Sequence, residues 1–403
     1  MTDHSISYQP VPGVLLSTAA AGIRYQDRDD LVLMALPEGT SCASVFTQNA
    51  FCAAPVVVAK RHLADASPRF LLVNSGNANA GTGMQGLEDA ETSCAALAAH
   101  AGCRTQEVLP FSTGVIGERL PVERLAAALP VALEQLLETN WPAAARAIMT
   151  TDTVPKLASR RFSAAGRTAV VTGMAKGAGM IRPDMATMLA FLATDLAVDR
   201  ELLQRCLREA VDVSFNAITV DGDTSTNDAC VLAAAGTLGN DFLDDAESPD
   251  YTAFRTAVEA VCRELATAIV RDAEGATKLV RIQVEEARNI AEARRVADAI
   301  AHSPLVKTAL FASDPNWGRI LAAVGRAGVD RLDIEAVRIW LGDLRIVSGG
   351  GRDPDYTESA GQAVMEKEEI GIRVALGLGD AATELLTCDL SYDYVRINAE
   401  YRT

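Results

Sequence analysis

Histidine is scarce in this chain. There are four in 403 residues, namely His4, His62, His100 and His302, and none stands in a polar, glycine-rich stretch. No G-x-S-x-G elbow is present, so a Ser–His–Asp or Cys–His site finds no support. The eight cysteines (Cys42, Cys52, Cys94, Cys103, Cys206, Cys230, Cys262 and Cys388) are scattered, with no CxxC pair and no clustered histidine. That disfavours zinc. A disulfide framework belongs to short secreted chains, so they read as buried thiols in a reducing compartment. Basic runs are missing too. With 37 Lys and Arg against 53 Asp and Glu, the net charge is −16, a surface that repels phosphate backbones and excludes nucleic acid as a partner. The longest uncharged stretch, Gly39 to Ala59, is interrupted by Ser, Thr, Gln, Asn and Pro, so no membrane span is expected. The N-terminus lacks the basic-then-apolar order of a signal peptide. The expected location is cytoplasmic.

Hydrophobic residues make up 49% and charged residues 22%, ordinary globular usage for two or three domains. Strands are expected at Leu31–Leu36, Pro55–Ala59, Phe70–Val73 and Thr168–Thr172. Helical spacing marks Val122–Thr139, Glu201–Val211 and Ala253–Val270. After Lys278 the texture changes. Val280, Ile282 and Val284 alternate as a half-buried strand, and Glu285–His302 reads as an amphipathic helix. Val337, Ile339 and Leu341 alternate again, as do Ile372, Val374, Leu376 and Leu378, before a closing segment Tyr394–Tyr401. This mixture favours a layered α/β or α+β architecture, with one domain over 1–280 and a smaller one over 281–403.

Seven stretches hold more Gly, Asn, Asp and Thr than turns require: Asn74–Gly83, Phe111–Gly117, Thr150–Lys156, Met174–Asp195, Asp221–Asp228, Arg271–Lys278 and Ser313–Gly328. Together they point to a shared polar site on loops held by a rigid scaffold. Without a histidine base, a Thr can still be activated by its own α-amine if it is an N-terminus. That requires cutting the chain before an internal Thr. Thr187 meets the demand: Lys176-Gly-Ala-Gly179 is a flexible turn, Ala186 is small on the acyl side, and Met-Leu-Ala-Phe-Leu then enters the core as a strand or helix. The same turn lacks a full phosphate-loop pattern. The oxygen-rich Asp221–Asp228 lacks the spacing and final Glu of a calcium loop and reads as a hydrogen-bonded structural loop. Asn316-Trp-Gly-Arg319 reads as a helix cap or packing feature.

KGAGMIRPDMATMLAFLATD closely resembles the self-cleavage signature of the ornithine acetyltransferases, also called glutamate N-acetyltransferases, of arginine biosynthesis. FSTGVIGERLP, MTTDTVPK, DGDTSTNDA, RDAEGATK, DPNWGRILAAVGRAG and NAEYRT resemble that family in its order, so the likeness runs from about residue 10 to the last. Asp184 and Ala178 stand where the family usually has Asn and Ser. The resemblance implies self-cleavage between Ala186 and Thr187 into chains 1–186 and 187–403, with Thr187 as nucleophile. It implies an oxyanion hole at Thr113 and Gly114, and substrate-binding positions at Thr153, Lys176, Thr187, Glu274, Asn398 and Thr403. Lys176 would meet a carboxylate, and Glu274 the distal ammonium of ornithine.

The implied reaction moves acetyl from N2-acetylornithine to Thr187 and then to glutamate. No metal or cofactor is implied, although acetyl-CoA serves as donor in part of the family. The implied fold is a layered α/β sandwich of helices around sheets with a smaller C-terminal α/β domain, and the implied assembly a heterotetramer of two α and two β chains. Two other readings stay open at this point: an N-terminal-nucleophile amidase or aminopeptidase, and an unprocessed binding homologue.

Overall fold

The computed structural model describes residues 8–182 and 188–400. They form two compact units. One holds the residues up to Asn216 with Asp223–Ile269, and the other Ala217–Gly222 with Val270 onward. The change of texture near residue 280 thus marks the first strand of the second unit, whose chain begins ten residues earlier and borrows a six-residue loop from upstream.

The first unit opens with β1 (Leu15–Ala19), β2 (Leu31–Ala35), β3 (Ser41–Phe46), α1 (Ala54–Asp65) and β4 (Phe70–Asn77). Next come α2 (Gly83–Ala101), β5 (Val108–Val115), α3 (Val122–Glu134) and α4 (Trp141–Ala147). It continues through β6 (Lys156–Ala164), β7 (Arg167–Lys176), β8 (Leu189–Thr194), α5 (Arg200–Asp212), β9 (Ala229–Ala234) and α6 (Pro249–Arg271). One sheet runs β1-β2-β4-β5 and the other β3-β9-β8-β7-β6.

The sheets pack face to face. Leu16, Met34, Leu71, Val73 and Phe111 meet Leu157, Met174, Phe191 and Val231 in one buried cluster, with the rings of Phe111 and Phe191 edge to face at 5.1 Å. Leu31, Leu33, Phe70 and Leu72 point the other way, onto Val58, Cys94, Leu97 and Leu129 of α1, α2 and α3. Outside the second sheet, Gln204 of α5 exchanges two hydrogen bonds with the Ser44 backbone of β3. Val261 of α6 lies against Gly173 of β7. Helices therefore cover both outer faces, and strands shielded on two sides need no alternation: every residue of β8 and β9 is buried.

The second unit holds β10 (Leu279–Ala287), α7 (Ile290–Ala301), α8 (Pro304–Phe311), α9 (Trp317–Gly325), β11 (Arg338–Leu341) and β12 (Leu344–Ser348). β13 (Gly351–Arg352), α10 (Glu358–Met365), β14 (Glu369–Ala375), β15 (Ala381–Cys388) and α11 (Tyr392–Glu400) complete it. Its sheet runs β13-β12-β11-β14-β10-β15. β10 lies parallel to β14, with Val280, Ile282 and Val284 opposite Ile370, Ile372 and Val374. Val296, Ala297 and Ile300 of α7 cover that face. The layered α/β architecture expected from the sequence is the one observed.

Three local expectations fail for physical reasons. Pro55–Ala59 is the first turn and a half of α1, not a strand. Proline's fixed φ suits a helix start, and Pro55, Val56, Ala59 and His62 supply a helical face that is buried while Val57 faces out. The helix after Val122 stops at Glu134, because Leu137 leaves it to exchange two backbone hydrogen bonds of 3.0 Å with Leu16. Glu285–Ala287 still belong to β10, and α7 starts only where Asn289 accepts the Glu292 N–H at 2.9 Å. Asn316 is the cap of α9, accepting the Arg319 N–H.

All eight cysteines are free thiols, six of them buried. Among the described residues no helix is long and apolar enough to cross a membrane.

Candidate active site

Polar residues gather at one end of the two packed sheets. In the first sheet, β4 and β5 run parallel and their ends lose regular register at Gly76, Asn77, Thr113 and Gly114. Gly114 sits at φ +135°, and a Cβ there would lie 2.2 Å from the Gly76 carbonyl carbon. Only glycine lets the strands approach so closely. Beside it, the Ser112 hydroxyl donates to Asn74 at 2.6 Å, and the Asn74 amide to the Asn77 carbonyl at 2.8 Å. The strand end presenting Thr113 and Gly114 is thus held in place by buried polar groups.

In the second sheet, Lys176 of β7, Leu189 of β8 and Ala229 of β9 stand in register on adjacent strands. Asp228 precedes β9, and its Oδ1 accepts the Met188 N–H at 3.0 Å. Asn227 ties this end to the first sheet, donating to the Ser112 carbonyl at 2.9 Å and to the Ala78 carbonyl at 2.7 Å. One asparagine therefore ties the start of β9, the neighbour of β8, to the strand that carries Thr113.

The loop before β6 adds a charge cluster. Asp152 and Lys156 form a 2.7 Å ion pair with no side-chain exposure on either partner, and Asp152 also accepts the Gly177 N–H at 2.7 Å. Burial opposes charge on Asp152, but the ammonium groups of Lys156 and Lys176 and the Gly177 N–H outweigh it and hold the carboxyl below its ordinary range. Lys176 is itself buried, with Nζ 3.4 Å from the Thr150 hydroxyl. Thr153 sits on the exposed side of the same loop.

In the second unit, Glu274 and Asn398 form their own pair: the Asn398 amide donates to Glu274 at 2.8 Å. Three further contacts hold the loop that bears Glu274. Asp389 accepts the N–H groups of Thr277 and Lys278 at 2.8 and 3.0 Å, and the Ser391 hydroxyl donates to the Gly275 carbonyl at 2.6 Å. Gly275 has φ +68°, and a Cβ there would meet the Tyr394 nitrogen at 2.6 Å.

Of the residues expected from the sequence, Thr113, Gly114, Thr153 and Lys176 belong to the first unit, and Glu274 and Asn398 to the second. Ala186, Thr187 and Thr403 lie outside the described residues. Asp152, Lys156, Asn227, Asp228, Asp389 and Ser391 carry much of the local order, yet the sequence did not single them out individually. The first four do lie within or beside polar stretches whose composition was already conspicuous. Among the described residues no group of His, Cys, Asp and Glu is placed to hold a metal ion.

The family model of the ArgJ family matches residues 15–403. The "Arginine biosynthesis bifunctional protein ArgJ" of Methylococcus capsulatus is 62% identical over 394 residues, covering 98% of this chain and 96% of that protein. Its counterpart of the same name in Pseudomonas fluorescens is 54% identical over 394 residues, covering 98% and 97%. The crystal structure of the arginine biosynthesis bifunctional protein ArgJ from Bacillus halodurans, 41% identical, covers 52% of this chain and 97% of its own at a TM-score of 0.49. A match this long and this identical leaves one conclusion: the chain belongs to the ArgJ family.

Proposed function

We propose that the enzyme transfers acetyl from N2-acetylornithine to glutamate in arginine biosynthesis through an acetyl-threonine at Thr187. The observation that carries the reading is the family match over residues 15–403. The strand-end geometry supports the division of roles. Thr187 follows the KGAGMIRPDMA signature, and once freed its α-amine, with an ordinary pKa near 8, takes the proton of its own hydroxyl. The Thr113 hydroxyl and the Gly114 N–H stabilise the tetrahedral oxyanion; losing one such donor costs about 3 kcal/mol of barrier. Lys176 meets a substrate carboxylate, with Thr153 beside it. Glu274 receives the distal ammonium of ornithine, with Asn398 and Thr403 completing the contact.

A covalent acetyl-enzyme divides the exchange into two matched half-reactions and requires no cofactor. Both curated relatives are named bifunctional, and acetyl-CoA fits as a second donor substrate. The working molecule is the pair of chains 1–186 and 187–403, assembled as a heterotetramer of two of each in the cytoplasm.

Purified protein given N2-acetylornithine should release ornithine, and form N-acetylglutamate only when glutamate is added. Free acetate in place of N-acetylglutamate would instead assign a hydrolase. Thr187→Ala should abolish both cleavage and transfer; two chains from that variant on a denaturing gel would remove Thr187 from the mechanism.

A further inference from the structure

Self-cleavage poses a proton problem that acetyl transfer does not. In the mature enzyme the base is the α-amine of Thr187. Before cleavage that nitrogen belongs to an amide, whose lone pair is delocalised into the carbonyl, so it cannot take a proton from the hydroxyl. Another group must do so, and it must lie at the start of β8.

Asp228 lies there. Its side chain is fully buried, and Oδ1 holds the Met188 N–H at 3.0 Å. Met188 is bonded to Thr187, so the carboxyl is fixed to the peptide unit that carries the nucleophile. The other oxygen, Oδ2, is buried and makes no hydrogen bond among the described residues. A buried carboxyl oxygen without a partner is costly and rare in a structural role. A loop carboxylate kept only to cap β8 would need Oδ1 alone.

We propose that Asp228 carries the proton in the self-cleavage step. The inference rests on the reading that the chain cuts itself before Thr187. The hydroxyl proton of Thr187 passes to Oδ2 of the Asp228 carboxylate as Oγ bonds to the Ala186 carbonyl carbon. The tetrahedral intermediate then breaks the bond from that carbon to the Thr187 nitrogen. The same proton goes to the departing nitrogen, leaving an ester, a free amine and Asp228 again ionised. Water hydrolyses the ester and restores the hydroxyl. Burial pushes the Asp228 carboxyl well up, against the pull of the Lys176 ammonium, the Met188 N–H and the Ser225 hydroxyl, which makes its ionised form a stronger base than an exposed carboxylate.

The test follows full-length chains of wild type, Asp228→Asn and Thr187→Ala by intact mass over time, with and without hydroxylamine, which cuts an accumulated ester. Asp228→Asn keeps an acceptor for the Met188 N–H but cannot take the proton. The expected result is a folded Asp228→Asn protein, judged by its thermal transition, that cleaves about a hundredfold more slowly. Its full-length species should resist hydroxylamine, because no ester forms, and an unchanged thermal transition separates the missing proton carrier from a merely structural loss. Should Asp228→Asn fail to fold, the smaller Asp228→Ser gives the same readout. Cleavage of the variant at the wild-type rate, or hydroxylamine cutting it before Thr187, would overturn the role of Asp228 alone. A wild type that stays as one chain would overturn self-cleavage itself, and this inference with it.

Discussion

Asp152 and Asp228 are both buried at the same end of the five-stranded sheet, one before β6 and one before β9, yet their surroundings push them in opposite directions. Asp152 has a buried ammonium at 2.7 Å, a second lysine nearby and a backbone N–H. Asp228 has one backbone N–H, the Ser225 hydroxyl, only the Lys176 ammonium that it shares with Asp152, and an oxygen that makes no hydrogen bond among the described residues. Desolvation acts on both, so the number of charged partners decides the outcome. The first arrangement suits a fixed anion that holds two buried ammonium groups in place. The second suits a group that must change its protonation state.

The contrast is most easily broken at Lys156. Lys156→Met should leave the buried Asp152 without its direct ion-pair partner and cost about 3 kcal/mol, visible as a lowered denaturation midpoint; a loss under about 1 kcal/mol would show that the pair contributes little. Asp228→Asn should move stability at pH 7 by no more than about 1 kcal/mol in either direction, because it preserves the bond to Met188 and replaces a carboxyl that burial disfavours as an anion. A loss as large as that of Lys156→Met would make Asp228 a structural anion after all.

The smallest effect is in pH dependence, and the signs differ. The depressed pKa of Asp152 gives stability that is present above the unfolded carboxyl value near 3.9 and lost as pH falls through the lower folded value. The raised pKa of Asp228 does the reverse: stability declines as pH climbs from about 3.9 toward the raised value. Unfolding free energies of wild type and Asp228→Asn across pH 4–8 should therefore diverge in slope, with the variant flatter as pH rises.

The layered architecture and the location of the polar site were legible in the sequence because they rest on local chemistry. The β10 alternation sets which face is buried, and the glycines of the Phe111–Gly117 and Arg271–Lys278 stretches mark positions of positive φ and close backbone approach. Pro55–Ala59 reads as a strand because three consecutive valines favour one, and only the buried face of α1 against the first sheet overrides that preference. Asn227 and Asp228 could not be ranked within DGDTSTND. Their importance comes from partners far away in sequence, Ser112 and Met188, whose proximity is a tertiary fact.

The account stands most directly on one observation: the mass of the denatured protein after incubation with N2-acetylornithine and no glutamate. It predicts two chains, 1–186 and 187–403, with one acetyl group on the longer chain at its first residue. A single species near 42.6 kDa, or two chains with the acetyl group anywhere other than Thr187, would contradict it.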